Sequence, residues 1–239
     1  MMRSRLAPAP ELLDAGRHDR AELEQSLDQI AEVNRLLGGT RAVLRTLDEL
    51  INGAHDAARS PRILDVGTGS ADIPLAIARR AQQRGRHIDI VATDVHPQMR
   101  EIARDRVRDT ASITIGAADA LNLPYVDDSF DIVLLSLTLH HFERDDQVRA
   151  LREAARVASR AVVVNELERC RANYFGARLL AVTRWRGNRL TRHDGPLSVL
   201  RAFTRIELNE LANAAGLDVV ILRRRFCYRL VLVAVARTA

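Results

Sequence analysis

Residues 63–74 read ILDVGTGSADIP, a short apolar run that stops at two glycines and is followed by a helical pattern. In open α/β sheets, ligands bind in the crevice beyond the carboxyl ends of the strands, and a glycine-rich turn from strand to helix marks that crevice. Gly67 and Gly69 give the backbone conformational freedom and allow a close approach that a side chain would block. The stretch therefore predicts an α/β fold with a ligand site at this turn.

Strands and helices alternate along the chain from this turn. The pattern predicts strands at 62–66, 88–93, 112–116, 130–135 and 160–165, with helices near 71–83, 97–108 and 146–158 between them. Such alternation is typical of a parallel sheet that is covered by helices on both faces. Two further apolar runs, LDVVILRR (217–224) and RLVLVAVAR (229–237), are joined by a link too short for a crossover helix, so we expect them to pair antiparallel.

Two helices are predicted ahead of the first strand. Apolar residues recur at helical spacing from Leu23 to Leu37, where Gly38 and Gly39 end the run, and again over 43–51. The chain is therefore divided into an N-terminal helical cap, 1–58, and a main domain, 59–239.

The segment 167–203, after the fifth predicted strand, is expected to be an irregular insertion that forms a wall on the substrate side. A helix is predicted to begin at Thr204, because Glu207 follows at the spacing of a capping box, and to end at Gly216.

Composition limits the class of protein. The chain has 239 residues, 47% of them hydrophobic, and no apolar run near the ~18 residues of a membrane span. The N-terminus shows no signal-peptide pattern, and the two cysteines show no metal or redox spacing, so a cytoplasmic protein is expected. All 36 basic residues are arginines, dispersed among 31 acidic residues, so a nucleic-acid partner is not predicted. Stable membrane insertion is not predicted either, because the chain lacks a long apolar run. Monomer and homodimer remain open.

The residues after the glycines argue against a dinucleotide. That fingerprint, G-x-G-x-x-G, needs a glycine at position 72, where this chain has Asp72. An aspartate there takes the place at the helix N-terminus where a pyrophosphate would bind. Asp65 adds a second negative charge, so the turn favours a positively charged ligand. S-adenosylmethionine, with its sulfonium and ammonium groups, meets this requirement.

Two more carboxylates follow the next strands. Asp94 ends the second strand, where it can accept hydrogen bonds from both hydroxyls of a ribose. Asp119 follows the third strand and is placed to meet an adenine amino group, while Ala120 offers a backbone N–H. Val95 and His96 would flank the adenine ring. Any one of these aspartates could be a helix cap or turn residue, but three carboxylates at three successive strand ends favour one ligand site.

The stretches ILDVGTGSADIP, VATDVHPQMREIAR and ADALNLPYVDDSFDIVLLSLTLHHF, with the final antiparallel pair, resemble class I S-adenosylmethionine-dependent methyltransferases. The resemblance is strong over 60–165 and topological over 204–236, and it points to ubiquinone/menaquinone-type enzymes and to bacterial methyltransferases of phenolic lipids and polyketides. It implies a Rossmann-like sheet of seven strands, mostly parallel with the last antiparallel, and an aromatic or lipid-like small-molecule acceptor. Ala71 replaces a third glycine of many members, and its small side chain is expected to preserve the helix approach.

The motifs and the resemblance together give one predicted cofactor-binding set and no metal site. The set is Asp65, Gly67, Thr68, Gly69, Asp94, Val95, His96, Met99, Asp119, Ala120 and Ser136.

Three histidines are candidate bases. A phenol has a pKa of about 10, so transfer to its oxygen needs a proton acceptor, and a histidine within reach is suited to this. His140 and His141 follow the fourth strand, although the same residues could only stabilise a short helix. His193, with Asp194, is either a base with its partner or part of a solvated turn before Gly195.

The predicted reaction is methyl transfer to the hydroxyl of a phenolic, quinol or polyketide-type compound. The alternatives are C-methylation of a similar aromatic or quinone ring, and a catalytically silent cofactor-binding protein. A methyltransferase of nucleic-acid base amines would carry an Asn/Asp-Pro-Pro-aromatic turn after the fourth strand, where this chain has SLTLHH.

Overall fold

The computed structural model of the chain describes residues 10–52 and 60–237. A single seven-stranded sheet has the order β3-β2-β1-β4-β5-β7-β6. Its strands are β1 (Arg62–Val66), β2 (Asp89–Thr93), β3 (Ile113–Gly116), β4 (Phe130–Ser136), β5 (Ala158–Leu167), β6 (Leu217–Arg225) and β7 (Arg229–Ala236). Strand β7 runs antiparallel to both neighbours, while β1 to β5 pair in parallel. The predicted fold class is confirmed.

Eight α-helices flank the sheet in the described ranges. They are α1 (Arg20–Leu36), α2 (Gly39–Asn52), α3 (Asp72–Gln83), α4 (Pro97–Val107), α5 (Arg144–Val157), α6 (Arg171–Val182), α7 (Arg189–Arg201) and α8 (Arg205–Ala214). Short 3₁₀ helices cover Leu12–Asp14, here called the N-terminal turn, and Leu139–His141. The capping box predicted for α8 is present, because Thr204 and Glu207 each accept a hydrogen bond from the other's backbone N–H.

The expectation of an irregular segment at 167–203 is wrong, because it contains α6 and α7. Asn188 caps α7 by accepting a hydrogen bond from the Thr191 N–H at 3.0 Å. Pro196 lies inside this helix, and Gly195 faces the ring of Trp185, where an added Cβ would come within 2.3 Å. The residues 193–196 are therefore part of a packed helix and not a solvated turn.

Helices cover the sheet on both faces. On one face, Val43 and Leu47 of α2 pack with Ile63 and Val163 of the central strands. On the other face, α5 and α8 pack against alternate residues of the same strands. The predicted boundary between cap and main domain, at 58–59, includes residues outside the described ranges, so the division stays a prediction. In the described ranges, no helix combines the length and hydropathy that crossing a membrane requires.

The topology brings three turns together at one edge of the sheet. Strands β2, β1 and β4 are neighbours and parallel, so the segments that follow them leave at the same edge. Helix α1 and the N-terminal turn both contact α7 above this edge. The space between the turns and these helices holds the candidate site.

Candidate active site

The predicted cofactor-binding residues lie around one cavity. Its volume is about 460 Å³, and all eleven residues named from the sequence line it. The cavity is bounded on the far side by α1, through Leu27, Ile30 and Asn34, and by the N-terminal turn, through Leu13 and Asp14. These individual residues were not identified as cavity residues from the sequence, because no motif distinguishes Leu27 and Ile30 from other apolar positions of an amphipathic helix or marks the three polar and turn residues as a site.

The glycine turn is held by a carboxylate from the neighbouring strand. The Gly69 N–H donates to Asp94 Oδ2 at 2.9 Å, and the His96 N–H donates to Asp94 Oδ1 at 2.8 Å. Gly67 has a φ of 74°, and a Cβ there would lie 2.7 Å from the Thr138 side chain. Asp94 thus connects two of the turns that form the cavity, and each of its oxygens keeps a further lone pair for a ligand.

Ala71 occupies a position where backbone conformation matters as well as side-chain size. Its φ of 60° lies in the left-handed region, which favours glycine. Alanine is tolerated at this position, although the position favours glycine for its backbone conformation as well as for its small size. The next residue, Asp72, is the first of α3 and lines the same cavity, at the N-terminal position where a diphosphate would bind.

Burial raises the pKa values of three aspartates that line the cavity. It raises the pKa of Asp65 to about 7, and the nearby charges of Asp72 and Asp94 act in the same direction. The pKa values of Asp72 and Asp94 are also raised, again mainly by burial. Of the described residues that line this cavity, none is an arginine. A ligand with positive charge would lower these pKa values and so bind favourably.

Asp119 differs from the other two strand-end aspartates. It lies on the cavity wall but is exposed, and its Oδ1 accepts a hydrogen bond from the Leu121 N–H at 2.9 Å. The carboxylate therefore shapes a turn at the cavity rim. Its position toward adenine stays a prediction.

A second cavity, of about 420 Å³, adjoins the first. The two share Leu13, Ile30, Asn34, Leu137 and His141 on their walls. The second cavity extends between α1, α6 and α7 and is lined mainly by apolar groups.

His140 forms a buried dyad with Glu166 next to this second cavity. Its Nδ1 donates to Glu166 Oε2 at 2.8 Å, and both side chains are almost fully buried. Glu166 Oε1 accepts from the backbone N–H groups of Leu139, at 2.8 Å, and of His140. Burial alone would raise the pKa of Glu166, but His140 and these hydrogen bonds outweigh it, so the pKa is lowered and the carboxylate stays ionised. The dyad leaves Nε2 as the ring nitrogen without a hydrogen bond to Glu166, and Glu11 Oε1 lies 3.7 Å from it.

His141 has a different electrostatic state. Burial lowers its pKa, but the hydrogen bond to Asp14 and the charges of Glu11, Asp14 and Glu166 outweigh this and raise the pKa to about 9. The distance from His141 Nδ1 to Asp14 Oδ2 is 2.9 Å. At neutral pH, His141 is therefore an imidazolium that stacks on His140, with 4.5 Å between ring centroids. It can donate a hydrogen bond or stabilise an anion, but it is not a base in this state.

Comparisons with known proteins identify the domain. Residues 63–160 match the model of a methyltransferase domain family. A demethylmenaquinone methyltransferase of Deinococcus radiodurans is 39% identical over 106 residues, which are 44% of this chain and 42% of that protein. The ubiquinone/menaquinone biosynthesis C-methyltransferase UbiE of Rickettsia akari is 35% identical over 98 residues, or 40% of this chain and 39% of that protein. The chain therefore contains a methyltransferase domain, over residues 63–160. The chain spans only about two fifths of the length of these curated relatives.

Solved structures share the fold of this methyltransferase domain. An S-adenosylmethionine-dependent methyltransferase from Aquifex aeolicus superposes with a TM-score of 0.62 at 17% identity, over 91% of this chain and 98% of that one. The [4+2]-cyclase SpnF has a TM-score of 0.54 at 24% identity, over 77% of this chain and 60% of that one. At these identities the likeness shows the fold alone. A cyclase among the structures that share the fold illustrates that the fold does not dictate one reaction.

The larger cavity fits S-adenosylmethionine, the cofactor predicted from the sequence. The pKa values of Asp65, Asp72 and Asp94 are raised because no neighbouring cation fully compensates for their burial. S-adenosylmethionine carries the positive charge that would do so. The close approach at Gly67 leaves no space for a side chain. This lining fits a cationic nucleoside better than a diphosphate.

His193, the third candidate base, lies apart from the other two. Its side chain is 46% exposed and is not among the described residues that line either cavity. Its Nδ1 lies 2.7 Å from Asp194 Oδ1. Asp194 is buried and also accepts from the backbone N–H groups of Leu12 and Leu13 at 2.8 and 2.9 Å. The pair therefore holds the N-terminal turn on α7.

The sequence analysis did not assign a catalytic role to Glu166. The sequence did contain a signal for it. Glu166 directly follows the apolar run AVVVN, and a glutamate buried at that position needs a hydrogen-bonding or charged partner. Glu11, His140 and His141 place potential metal-ligand atoms within 4.8 Å of one another. In this structure the Nδ1 atoms of both histidines contact carboxylates, those of Glu166 and Asp14, and His140 Nε2 lies 3.7 Å from Glu11 Oε1.

Proposed function

We propose that the protein transfers the methyl group of S-adenosylmethionine to the hydroxyl oxygen of an aromatic small molecule, such as a phenol or quinol. The observation that carries this proposal is the junction of the two cavities beside the His140–Glu166 dyad. The larger cavity would hold the methyl donor and the apolar cavity the acceptor. The chain's main contribution would be to align the two and to exclude water.

The dyad supplies the proton acceptor. Glu166 takes the hydrogen bond from His140 Nδ1, so the lone pair on Nε2 is available to the acceptor's hydroxyl. His140 is one of the residues that line the apolar cavity. As the acceptor oxygen loses its proton to Nε2, the neighbouring His141 imidazolium stabilises the developing negative charge. The bound donor supplies an electrophilic methyl group and a neutral thioether leaving group.

The cofactor side of the proposal assigns further roles. Asp65 and Asp72 would face the positively charged end of the donor, and Asp94 would accept hydrogen bonds from its ribose. Val95 and His96 would flank the adenine ring. Asp119 and Ala120, on the same wall, would meet the adenine edge.

The test is incubation of the purified protein with methyl-labelled S-adenosylmethionine and a panel of phenols and hydroquinones, followed by mass spectrometry. We expect a labelled methyl ether from at least one compound, and loss of that product in His140→Ala with donor affinity retained. Donor binding without a labelled product from any compound would instead favour a catalytically silent cofactor-binding protein.

C-methylation of a ring carbon is the second candidate, and the name of the Rickettsia akari relative favours it. Removal of the hydroxyl proton by the same dyad would make a neighbouring ring carbon nucleophilic. Nuclear magnetic resonance of the labelled product distinguishes the two, because the carbon shift of a methoxy group differs from that of an aryl methyl group.

A further inference from the structure

The apolar cavity contains a buried arginine whose donors are largely unpaired. Arg229 is the first residue of β7, lines this cavity and is 2% exposed. Its Nη2 donates to Asn34 Oδ1 at 2.7 Å, whereas Nε and Nη1 are buried without a hydrogen-bond partner among residues 10–52 and 60–237. Buried donors of this kind are rare in folded proteins and indicate a functional role or a missing partner.

The carboxylates of this region are already hydrogen-bonded to other groups. Asp194 accepts from Leu12 and Leu13, Glu11 accepts from Ser198 Oγ at 2.9 Å, and Glu166 accepts from His140.

The arginine nevertheless keeps its charge. Burial lowers the pKa of Arg229 to about 10, against the opposing effect of the charges of Glu166 and Asp72. The guanidinium is therefore protonated at neutral pH and remains available to an anion.

A second unpaired donor lines the same cavity. The Trp185 Nε1–H is buried without a partner in the described part of the chain, and Trp185 lines the cavity. Its ring occupies its position only because residue 195 is a glycine. Gly39 has the same effect at the arginine, since a Cβ there would lie 3.2 Å from Arg229 Cζ. Both side chains are thus held by close packing, and no described residue accepts a hydrogen bond from Arg229 Nε, Arg229 Nη1 or Trp185 Nε1.

We infer that the methyl acceptor is an aromatic carboxylic acid. Its carboxylate pairs with Arg229, and another of its oxygen atoms accepts a hydrogen bond from Trp185 Nε1. This inference rests on the proposed function, since it takes the apolar cavity as the acceptor site. Guanidinium and carboxylate form strong charge-assisted hydrogen bonds, and the apolar wall suits the ring.

The probes are hydroxyphenyl carboxylic acids with zero to three methylene spacers, each paired with its primary amide, which has the same shape and no charge. Binding is measured by calorimetry with S-adenosylhomocysteine at saturation. We expect the best acid to bind about 10- to 100-fold more tightly than its amide, as the loss of a charge-assisted hydrogen bond implies. Arg229→Gln should remove this preference.

Arg223→Gln is the matched control, because Arg223 lies on the adjacent strand β6 with its side chain 54% exposed. It removes the same charge without touching the cavity, so the acid preference should persist. Affinity for S-adenosylhomocysteine and circular dichroism establish that both variants fold. If Arg229→Gln does not fold, Arg229→Lys keeps the charge, and it should lower the preference without abolishing it.

Equal binding of acids and amides by the wild-type protein would overturn the inference, as would an acid preference that persists in Arg229→Gln. These measurements do not depend on turnover. An acid preference without methyl transfer would therefore contradict the proposed function alone, while methylation of neutral phenols without an acid preference would contradict only the carboxylate inference.

Discussion

Replacement of Glu166 by glutamine isolates the role of the dyad. In the wild-type protein Glu166 Oε1 accepts from the Leu139 and His140 N–H groups, and Oε2 accepts from His140 Nδ1. In Glu166→Gln the amide oxygen keeps the two backbone hydrogen bonds, so the amide nitrogen faces Nδ1. An NH₂ group can only donate, so Nδ1 must become the acceptor and the imidazole proton moves to Nε2.

The expected loss follows from this change of tautomer. A protonated Nε2 cannot take the acceptor's proton, so the variant loses the general base while the side-chain volume stays nearly constant. General-base removal lowers rates by about 10²–10⁴-fold, and we expect kcat to fall within that range. Glu166 lines neither cavity, so affinity for S-adenosylmethionine should not change.

The assay is single-turnover methyl transfer with the best acceptor, together with calorimetric donor binding. Because the two residues act as a unit, Glu166→Gln combined with His140→Ala should be no slower than His140→Ala alone. Glu143→Gln, at the exposed start of α5 without a side-chain capping bond, is the control and should keep the wild-type rate. Multiplicative losses in the double variant, or full activity in Glu166→Gln, would refute the dyad.

Three further expectations concern the larger cavity and its surroundings. Asp94→Ala should weaken S-adenosylmethionine binding by about 1–3 kcal/mol, because it removes a charge-assisted hydrogen-bond acceptor; unchanged affinity by calorimetry would contradict the ribose assignment. Asp65, with a pKa raised to about 7, must lose its proton to meet a cation, so donor affinity should fall as pH drops from 7 to 5.5 and should fall less over this interval in Asp65→Asn. His141, with its pKa raised to about 9 from an unfolded value near 6.5, contributes stability that is complete below pH 6.5 and is lost as pH rises through 9. Thermal unfolding should therefore show a larger decrease over this interval in the wild-type protein than in His141→Asn.

The sheet and the larger cavity were predictable because their signals are local. Buried parallel strands such as Phe130–Ser136 form continuous apolar runs, and the residues that follow them must meet at one edge. Helix α7 was not predictable in the same way, since it buries Leu190, Thr191 and Pro196 on different sides and contains Gly195. A helix buried on several sides has no clear amphipathic period.

The acceptor-side contacts depend on residues distant in the chain. Glu166 meets His140 across the register of β4 and β5, and Arg229 meets Asn34 from 195 positions away. No spacing in the sequence encodes such a contact. The two histidines could be named as candidates from the sequence. Their different roles, a proton-accepting Nε2 on His140 and an imidazolium on His141, depend on which carboxylate packs against each ring.

The N-terminal turn has a kinetic consequence. Leu13 lines both cavities, the Leu12 and Leu13 N–H groups are held by Asp194 of α7, and Asp14 is bonded to His141 where the cavities meet. One short segment therefore lies over both cavities. If these cavities hold donor and acceptor as proposed, displacing the segment for one ligand also exposes the other. The order of substrate addition and product release would then be coupled, and inhibition by each product would depend on occupancy of the opposite cavity.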